Sequence, residues 1–277
     1  MISVLIITKN DGDVIGDCIK SVKDLADEII VVDGGSEDNT VEISEKLGAK
    51  VVRNPFKNFS DQRNLALSLA KGDWVFYIDS DERATPAFIS EVKNRIRAVG
   101  LFDSFDRAQD KSAQDKDIGG FRIRRKTFYL GKDWGFTDKV ERVFRKDKLK
   151  GWHGVVHETP EFEGRLETIS ESILHYTHRN LEQMVVKTNE WSEFEADLRS
   201  KANHPKMNVF RFFRVMITGF LRSYISEKGY KNGTAGLIES IYQAFSMFVT
   251  YVKLWERIER SEGARLQAKR TGVGAEK

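Results

Sequence analysis

The sequence predicts an α/β fold: a mostly parallel, doubly wound sheet with helices on both faces, followed by an α-helical C-terminal extension. Three observations predict it. Apolar, β-rich runs and segments of helical period alternate four times in the first eighty residues, with short connections. Three of those runs end in polar clusters: Thr8-Lys9-Asn10-Asp11, Asp33-Gly34-Gly35-Ser36 and Asp79-Ser80-Asp81. From Leu181 onward the pattern is almost wholly helical, which sets a boundary near residue 180.

The elements follow in order. Ser3 to Thr8 is a buried parallel strand by its continuous apolar run. Val14 to Leu25 carries Val14, Ile15, Cys18, Ile19 and Val22 at helical spacing, with Cys18 on the core face. Glu28 to Val32 is a strand, Asp38 to Leu47 a helix and Ala49 to Arg53 a strand. Asp61 to Ala70 is a helix with Leu65, Leu67 and Leu69 crowding its middle, and Trp74 to Ile78 is the fourth strand. Thr85 to Val99 is helical, with Thr85 as N-cap and Pro86 in the first position. Residues 103–117 are polar, charged and nearly free of apolar residues, the pattern of a mobile surface loop. Gly120 to Arg125 and Arg142 to Arg145 read as later strands. The expected organisation is a catalytic domain over 1–180, a helical extension over 181–262 and a frayed tail over 263–277.

Composition narrows the function classes. The 277 residues carry a net charge of only +3, so no general electrostatic affinity for nucleic acid follows. Cys18 is the single cysteine and excludes an internal disulfide framework. The N-terminal apolar run is too short for a signal peptide, and no stretch reaches the ~18 apolar residues of a spanning helix. The expectation is a cytoplasmic protein.

In doubly wound sheets ligands bind outside the carboxyl ends of the strands, so the topology gathers the three polar clusters on one rim. Asp79 and Asp81 would repel each other unless something positive lies between them. Carboxylates suit a hard divalent ion such as magnesium or manganese, which binds phosphate oxygens in turn. Asp33 can be an Asx-turn residue or an acceptor for a nucleobase N–H or ribose hydroxyl. Thr8 and Asn10 can form the turn or contact the base, and Ser36 to Thr40 reads as an N-cap cluster.

These segments carry a resemblance. S-V-L-I-I-T-K-N, I-I-V-V-D-G-G-S-x-D-x-T and G-D-W-V-F-Y-I-D-S-D-E resemble the three signature segments of glycosyltransferase family 2, inverting enzymes of the Rossmann-like GT-A fold. The resemblance is close over residues 1 to about 90 and continues through Gly120-Phe121-Arg122-Ile123, Tyr129-Leu130-Gly131-Lys132 and Arg142 to Lys146. V-H-E at Val156-His157-Glu158 is similar to a bacterial branch of lipopolysaccharide-core β-glucosyltransferases. The resemblance implies that Thr8, Asn10 and Asp33, with Ser80, hold the nucleotide of a sugar donor, a UDP-sugar in the first instance. It implies that Asp79 lies near the ribose and metal and that Asp81 ligates a manganese or magnesium ion. Lys9 departs from the Tyr or Phe that many members carry there, so the resemblance does not imply a stacking contact on the base.

Inversion needs a base that takes the acceptor hydroxyl proton opposite the leaving group. G-W-H-G-V-V-H-E-T-P-E-F-E-G, residues 151–164, offers Glu158. Its glycines and Val155-Val156 argue against a helix, so His153 and His157 are no helical metal pair. The resemblance favours Glu158 as base, with His157 positioning it, binding diphosphate or adding a metal ligand; Asp138 is the reserve. Arg124, Arg125, Lys126 and Arg142 read singly as a solvated basic face, with phosphate clamping as the alternative. His175 and His178 read as structural.

From His204 to Arg260 there are nine Lys/Arg against four Asp/Glu. Phe210, Phe213, Ile217, Phe220, Leu221 and Tyr224 line one helix side, flanked by Arg211, Arg214 and Arg222. Ile241, Phe245, Phe248, Val252 and Trp255 form a second stripe, read as a packing seam. The first stripe suits an anionic membrane surface, intramolecular packing or a homodimer. A lipid-linked saccharide acceptor would place the protein peripherally on the inner face of the cell membrane. The function expected is a metal-dependent inverting glycosyltransferase acting on a glycan or lipopolysaccharide-core hydroxyl. The alternatives are a protein or peptide glycosyltransferase, a sugar-phosphate nucleotidyltransferase, which lacks its Gly-rich phosphate loop here, and a non-catalytic scaffold.

Overall fold

The computed structural model describes residues 1–105, 118–155, 158–202 and 204–271. The order is β1 (Ile2–Thr8), α1 (Ile15–Val22), β2 (Glu28–Asp33), α2 (Thr40–Lys46), β3 (Lys50–Arg53), α3 (Phe59–Leu69), β4 (Trp74–Tyr77), β5 (Glu82–Arg83) and α4 (Pro86–Phe105). Then come β6 (Ile118–Tyr129), β7 (Lys132–Arg145), β8 (Leu149–His153), β9 (Thr159–Phe162), β10 (Arg165–Thr177), α5 (Leu181–Lys201), α6 (Val209–Leu221) and α7 (Gly233–Thr271).

An eight-stranded sheet runs β3-β2-β1-β4-β7-β6-β10-β5, and β8 pairs with β9 separately. β1 is parallel to β2 and β4, and β2 is parallel to β3, which is the doubly wound half the alternation predicts. Its strands are buried on both faces: Val4 and Ile6 of β1 join one core cluster, Leu5 and Ile7 the other. That is why the strands read as unbroken apolar runs rather than alternating ones. β7 is antiparallel to β4, and β5 to β10.

β10 is absent from the sequence reading. Its buried apolar residues, Ile169 and Ile173, stand four apart, a spacing common to strand and helix. Thr85 caps α4 as expected, its Oγ1 accepting from Phe88 N at 3.1 Å. The first residues of the expected loop continue α4 to Phe105, and 106–117 lie outside the described residues.

The described chain divides into two compact units: residues 1–128 with 135–177, and residues 129–134 with 178–277. The second holds α5 to α7 around Ala196, Met207, Val215, Tyr251 and Leu254. Gly219 lets α6 approach α7 closely, since a Cβ there would lie 3.0 Å from Met247 Cγ. The expected seam of α7 is corrected: Ile241, Phe245, Phe248 and Trp255 are exposed, and the packing face carries Met247, Tyr251 and Leu254. The stripe and the seam are adjacent strips of one long helix, and helical periodicity alone does not say which is covered. α7 also runs past Ser261 to Thr271, where composition suggests fraying.

Candidate active site

The three polar clusters meet at one rim because β1, β2 and β4 are parallel neighbours that end together. Thr8 lies opposite Asp33 across the β1–β2 pair, and Ile78 N donates to Leu5 O at 3.1 Å. Asp11 is the hub between them. Its Oδ2 accepts from Thr8 Oγ1 at 2.9 Å and from Ser80 Oγ at 2.6 Å, and its backbone N–H donates to Thr40 Oγ1 at 2.8 Å. Thr8 and Ser80 are therefore both turned onto Asp11 and buried.

Asn10, at φ +55°, takes the left-handed region that Asn tolerates. There its N–H donates to Ser36 Oγ and its Oδ1 accepts from Glu37 N, each at 2.8 Å. Asp33 is fully buried and accepts from Gly35 N and Ser36 N, the Asx-turn geometry weighed above. Gly35 makes that turn possible at φ +99°. These bonds hold the turn at the end of β2.

At the β4 tip Asp79 is held by two arginines. Arg63 Nη2 donates to its Oδ1 at 3.0 Å, and Arg142 Nη2 to its Oδ2 at 2.7 Å. Burial alone would push the Asp79 carboxyl up, but the Arg142 and Arg63 guanidiniums outweigh it and hold the group well below the usual carboxylate range. The positive charge beside the acid pair is thus supplied in part by the protein itself.

Arg63 is the central residue. It is buried in α3, with its guanidinium 5.6 Å from the Tyr77 ring centre and 5.1 Å from that of Trp152. Its Nε donates to Glu158 Oε1 at 2.9 Å while its Nη2 serves Asp79. Glu158, far away in sequence, is brought to the acid pair through this one guanidinium. Arg63 Nη1 and Arg142 Nε are buried without a hydrogen-bond partner among the described residues. Both are donors, so both suit the oxygens of an anion rather than a cation.

Asp81 is buried, with Oδ1 3.6 Å from His175 Nε2 of β10. Burial works against a charged His175, but its contact with Asp81 prevails and raises the imidazole pKa. Glu82 is fully buried. Its Oε2 accepts from Asp79 N at 2.9 Å and its Oε1 from Arg125 Nη1 at 3.3 Å. Burial, with the Asp79 charge, pushes its carboxyl up. Asp138, the reserve base, is in a bidentate pair with Arg125, at 3.1 and 2.6 Å. The reading of Arg125 and Arg142 as a solvated basic face is corrected, since both point inward onto carboxylates. Two guanidiniums leave water here because three acids receive them.

Among the described residues no three His, Cys, Asp or Glu side chains converge as a cation cage. A magnesium or manganese ion keeps waters and takes phosphate oxygens, so one or two protein carboxylates suffice. Asp81 at the rim fits that requirement. Asp79 has one oxygen on each arginine, and His157, the further ligand expected, lies outside the described residues.

The sequence model of the family described as Glycosyl transferase family 2 matches residues 3–151, more than half of the chain. An uncharacterized glycosyltransferase of Rickettsia conorii is 32% identical over 272 residues, covering 94% of this chain and 92% of that one. The chain belongs to glycosyltransferase family 2. Another relative is the lipopolysaccharide core biosynthesis glycosyltransferase LpsC of Rhizobium meliloti, 26% identical with 92% of each chain covered. Among solved structures, glucosyl-3-phosphoglycerate synthase from Mycobacterium tuberculosis, in complex with Mn2+, UDP and glucosyl-3-phosphoglycerate, is 25% identical. That likeness covers 47% of this chain and 44% of that one, with a TM-score of 0.33.

In this family 2 chain the sequence motifs single out Asp79, Asp81 and Glu158 and give no role to Arg63, Asp11 or Glu82. A signal for Arg63 was present. Phe59, Gln62, Arg63 and Ala66 stand at i, i+3, i+4 and i+7, so Gln62 and Arg63 fall on one face of α3. The three leucines drew attention to the half-buried side instead.

Proposed function

We propose that this family 2 enzyme is a metal-dependent inverting glycosyltransferase. It moves a sugar from a UDP-sugar to a hydroxyl of a glycan, with the lipopolysaccharide core as the acceptor class that the LpsC likeness favours. The observation that carries the reading is the shared guanidinium of Arg63, which ties Glu158 to the Asp79 tip. A carboxylate for the acceptor and a carboxylate for the donor then belong to one site.

Each residue has a task. Asp33, Asn10 and Thr8 form the rim against which the nucleoside lies, with Asp11 and Ser80 fixing its shape. Asp81 would hold the divalent ion; when bound, that ion supplies neutralisation of charge on the departing diphosphate. Asp79 reaches the same ion only by loosening an arginine, so we assign it to orienting Arg63 and Arg142. The Arg142 Nε–H, which has no partner among the described residues, is a donor for a phosphate oxygen. Glu158 accepts the proton of the acceptor hydroxyl. The hydroxyl oxygen forms its bond to the anomeric carbon as the bond to the diphosphate breaks, and the electron pair leaves with the nucleoside diphosphate. Attack from the face opposite the leaving group inverts the centre. Asp138, locked to Arg125, is the weaker base candidate.

Calorimetry of UDP binding with and without manganese tests the donor half. The wild type is expected to bind at least about tenfold more tightly with manganese, a gain of ~1.4 kcal/mol, and Asp81→Ala to lose that gain. Equal affinity for both proteins in the presence and absence of the ion would remove the metal from the reading.

A further inference from the structure

The α6 helix presents an apolar face that nothing in its own unit covers. Phe210 is 76% exposed, Phe213 62%, Ile217 56% and Leu221 44%. Packing within the chain is one of the three uses of this stripe that the sequence allows. The structure turns Val215 and Phe212 toward α7 and leaves Phe210, Phe213, Ile217 and Leu221 outside, while Phe220 and Tyr224 are half-buried and stacked on each other. Ile241 and Phe245 of α7 add exposed apolar surface in the same unit. Monomeric proteins rarely expose a contiguous apolar patch of this kind without a partner.

The charges around the patch choose the partner. Arg211 and Arg214 lie on α6 among the phenylalanines, and neither has an ion-pair partner among the described residues. Lys228 and Lys231 are exposed beyond its C-terminal end. Between Val209 and Trp255 the only carboxylates are Glu227 and Glu239. Glu227 pairs with Arg222, and Glu239 is buried against His178. α6 and the start of α7 are therefore apolar and basic, with no exposed unpaired acid of their own. A second copy of this chain is a poorer fit, because a two-fold contact sets the same basic patch against itself and brings no acid to receive the arginines. No helix among the described residues is long and apolar enough to cross a membrane. What fits is a surface that accepts aromatic side chains a short distance below a layer of negative charge.

We propose that α6, with the exposed start of α7, docks this protein on an anionic lipid bilayer, lying in the headgroup region with Phe210, Phe213 and Ile217 inserted. The arginines contact lipid phosphates. The face is independent of the transfer chemistry, so the proposal stands apart from the assignment of Glu158 and Asp81.

The test is co-sedimentation of the full chain with vesicles of equal parts phosphatidylglycerol and phosphatidylcholine, beside vesicles of phosphatidylcholine alone. The wild type is expected to pellet with the first and not the second, and to be released by 0.5 M salt in large part, as screened charges require (roughly a threefold shorter screening length than at low salt). Each basic residue near the surface contributes about fivefold. Arg211→Glu with Arg214→Glu should therefore weaken partitioning at least about thirtyfold, and Phe213→Ser with Ile217→Ser should abolish it. Circular dichroism of these surface variants is expected to match the wild type. Failure of the wild type to bind anionic vesicles overturns the proposal. So does unchanged binding by the arginine pair, or a dimer in sedimentation equilibrium that the Phe213→Ser, Ile217→Ser variant dissolves.

Discussion

The rim of the sheet and the helical unit depart from the usual partition of side chains in opposite senses. At the rim, charges are inside: Arg63, Arg142, Glu82 and Asp81 are all buried. On α6 and α7, large apolar side chains are outside: Phe210, Phe213 and Ile241 are more than half exposed. Either departure costs free energy in a protein that does nothing else. The rim recovers its cost internally, since each of its carboxylates meets a guanidinium, an imidazole or backbone N–H groups. The helical face recovers nothing within its unit. The first pairs its charges within its unit, and the second leaves an apolar face uncovered in its own.

The comparison can be broken at its polar end first. Glu158→Gln keeps an oxygen for Arg63 Nε but cannot take a proton at neutral pH. Transfer should fall about a hundred- to ten-thousand-fold, the usual loss for a general base, while calorimetry finds UDP affinity near wild type. Survival of transfer within about tenfold, ~1.4 kcal/mol of transition-state stabilisation, would rule out Glu158 and bring Asp138→Asn forward.

A smaller effect is expected from Arg63→Lys. An ammonium is a point charge and cannot hold two carboxylates as a planar fork does. Asp79 keeps Arg142, so UDP should still bind, but Glu158 loses its anchor. A misplacement of about 1 Å costs on the order of a hundredfold in rate, and kcat should fall by up to that factor with little change in KM for the donor. In the Glu158→Gln background the same substitution should change kcat little, because Arg63 acts through Glu158. Losses that multiply in the double variant would instead show a role in general stability.

How far the sequence reached follows the same division. The parallel half of the sheet was legible because strands buried on both faces leave continuous apolar runs, and the rim followed from the topology of those runs. Asp79, Asp81 and Glu158 stand out in the sequence as parts of short motifs. The buried ion network was not, because a charge reads as solvent-facing until its partner is known. Arg63 and Glu158 are 95 residues apart, and Arg142 and Asp79 are 63 apart. β10 was missed because its two inward residues stand at a spacing shared with helices. On α7 the period was right and the covered side wrong. Period fixes the angle of a stripe about the axis, but only the neighbouring helices decide which stripe is buried.

The smallest effect belongs to the apolar end of the comparison, and its smallness is the point. Truncating a fully buried phenylalanine typically costs about 3–5 kcal/mol. Phe213 is 62% exposed, has no carboxylate neighbour on α6 and stands in a helix where alanine is the better helix former. Phe213→Ala should therefore shift unfolding stability by no more than about 0.5 kcal/mol, the range of ordinary surface substitutions. Urea denaturation of the lipid-free protein measures it, with an unchanged slope expected alongside an unchanged midpoint. A loss above about 2 kcal/mol would mean that the ring is covered in solution. Concentration dependence of that loss would identify the cover as a second copy and set aside the charge argument against one. A null result shows that the face is held open in the free protein, so that any loss of vesicle binding in the same variant reports on the lipid contact alone.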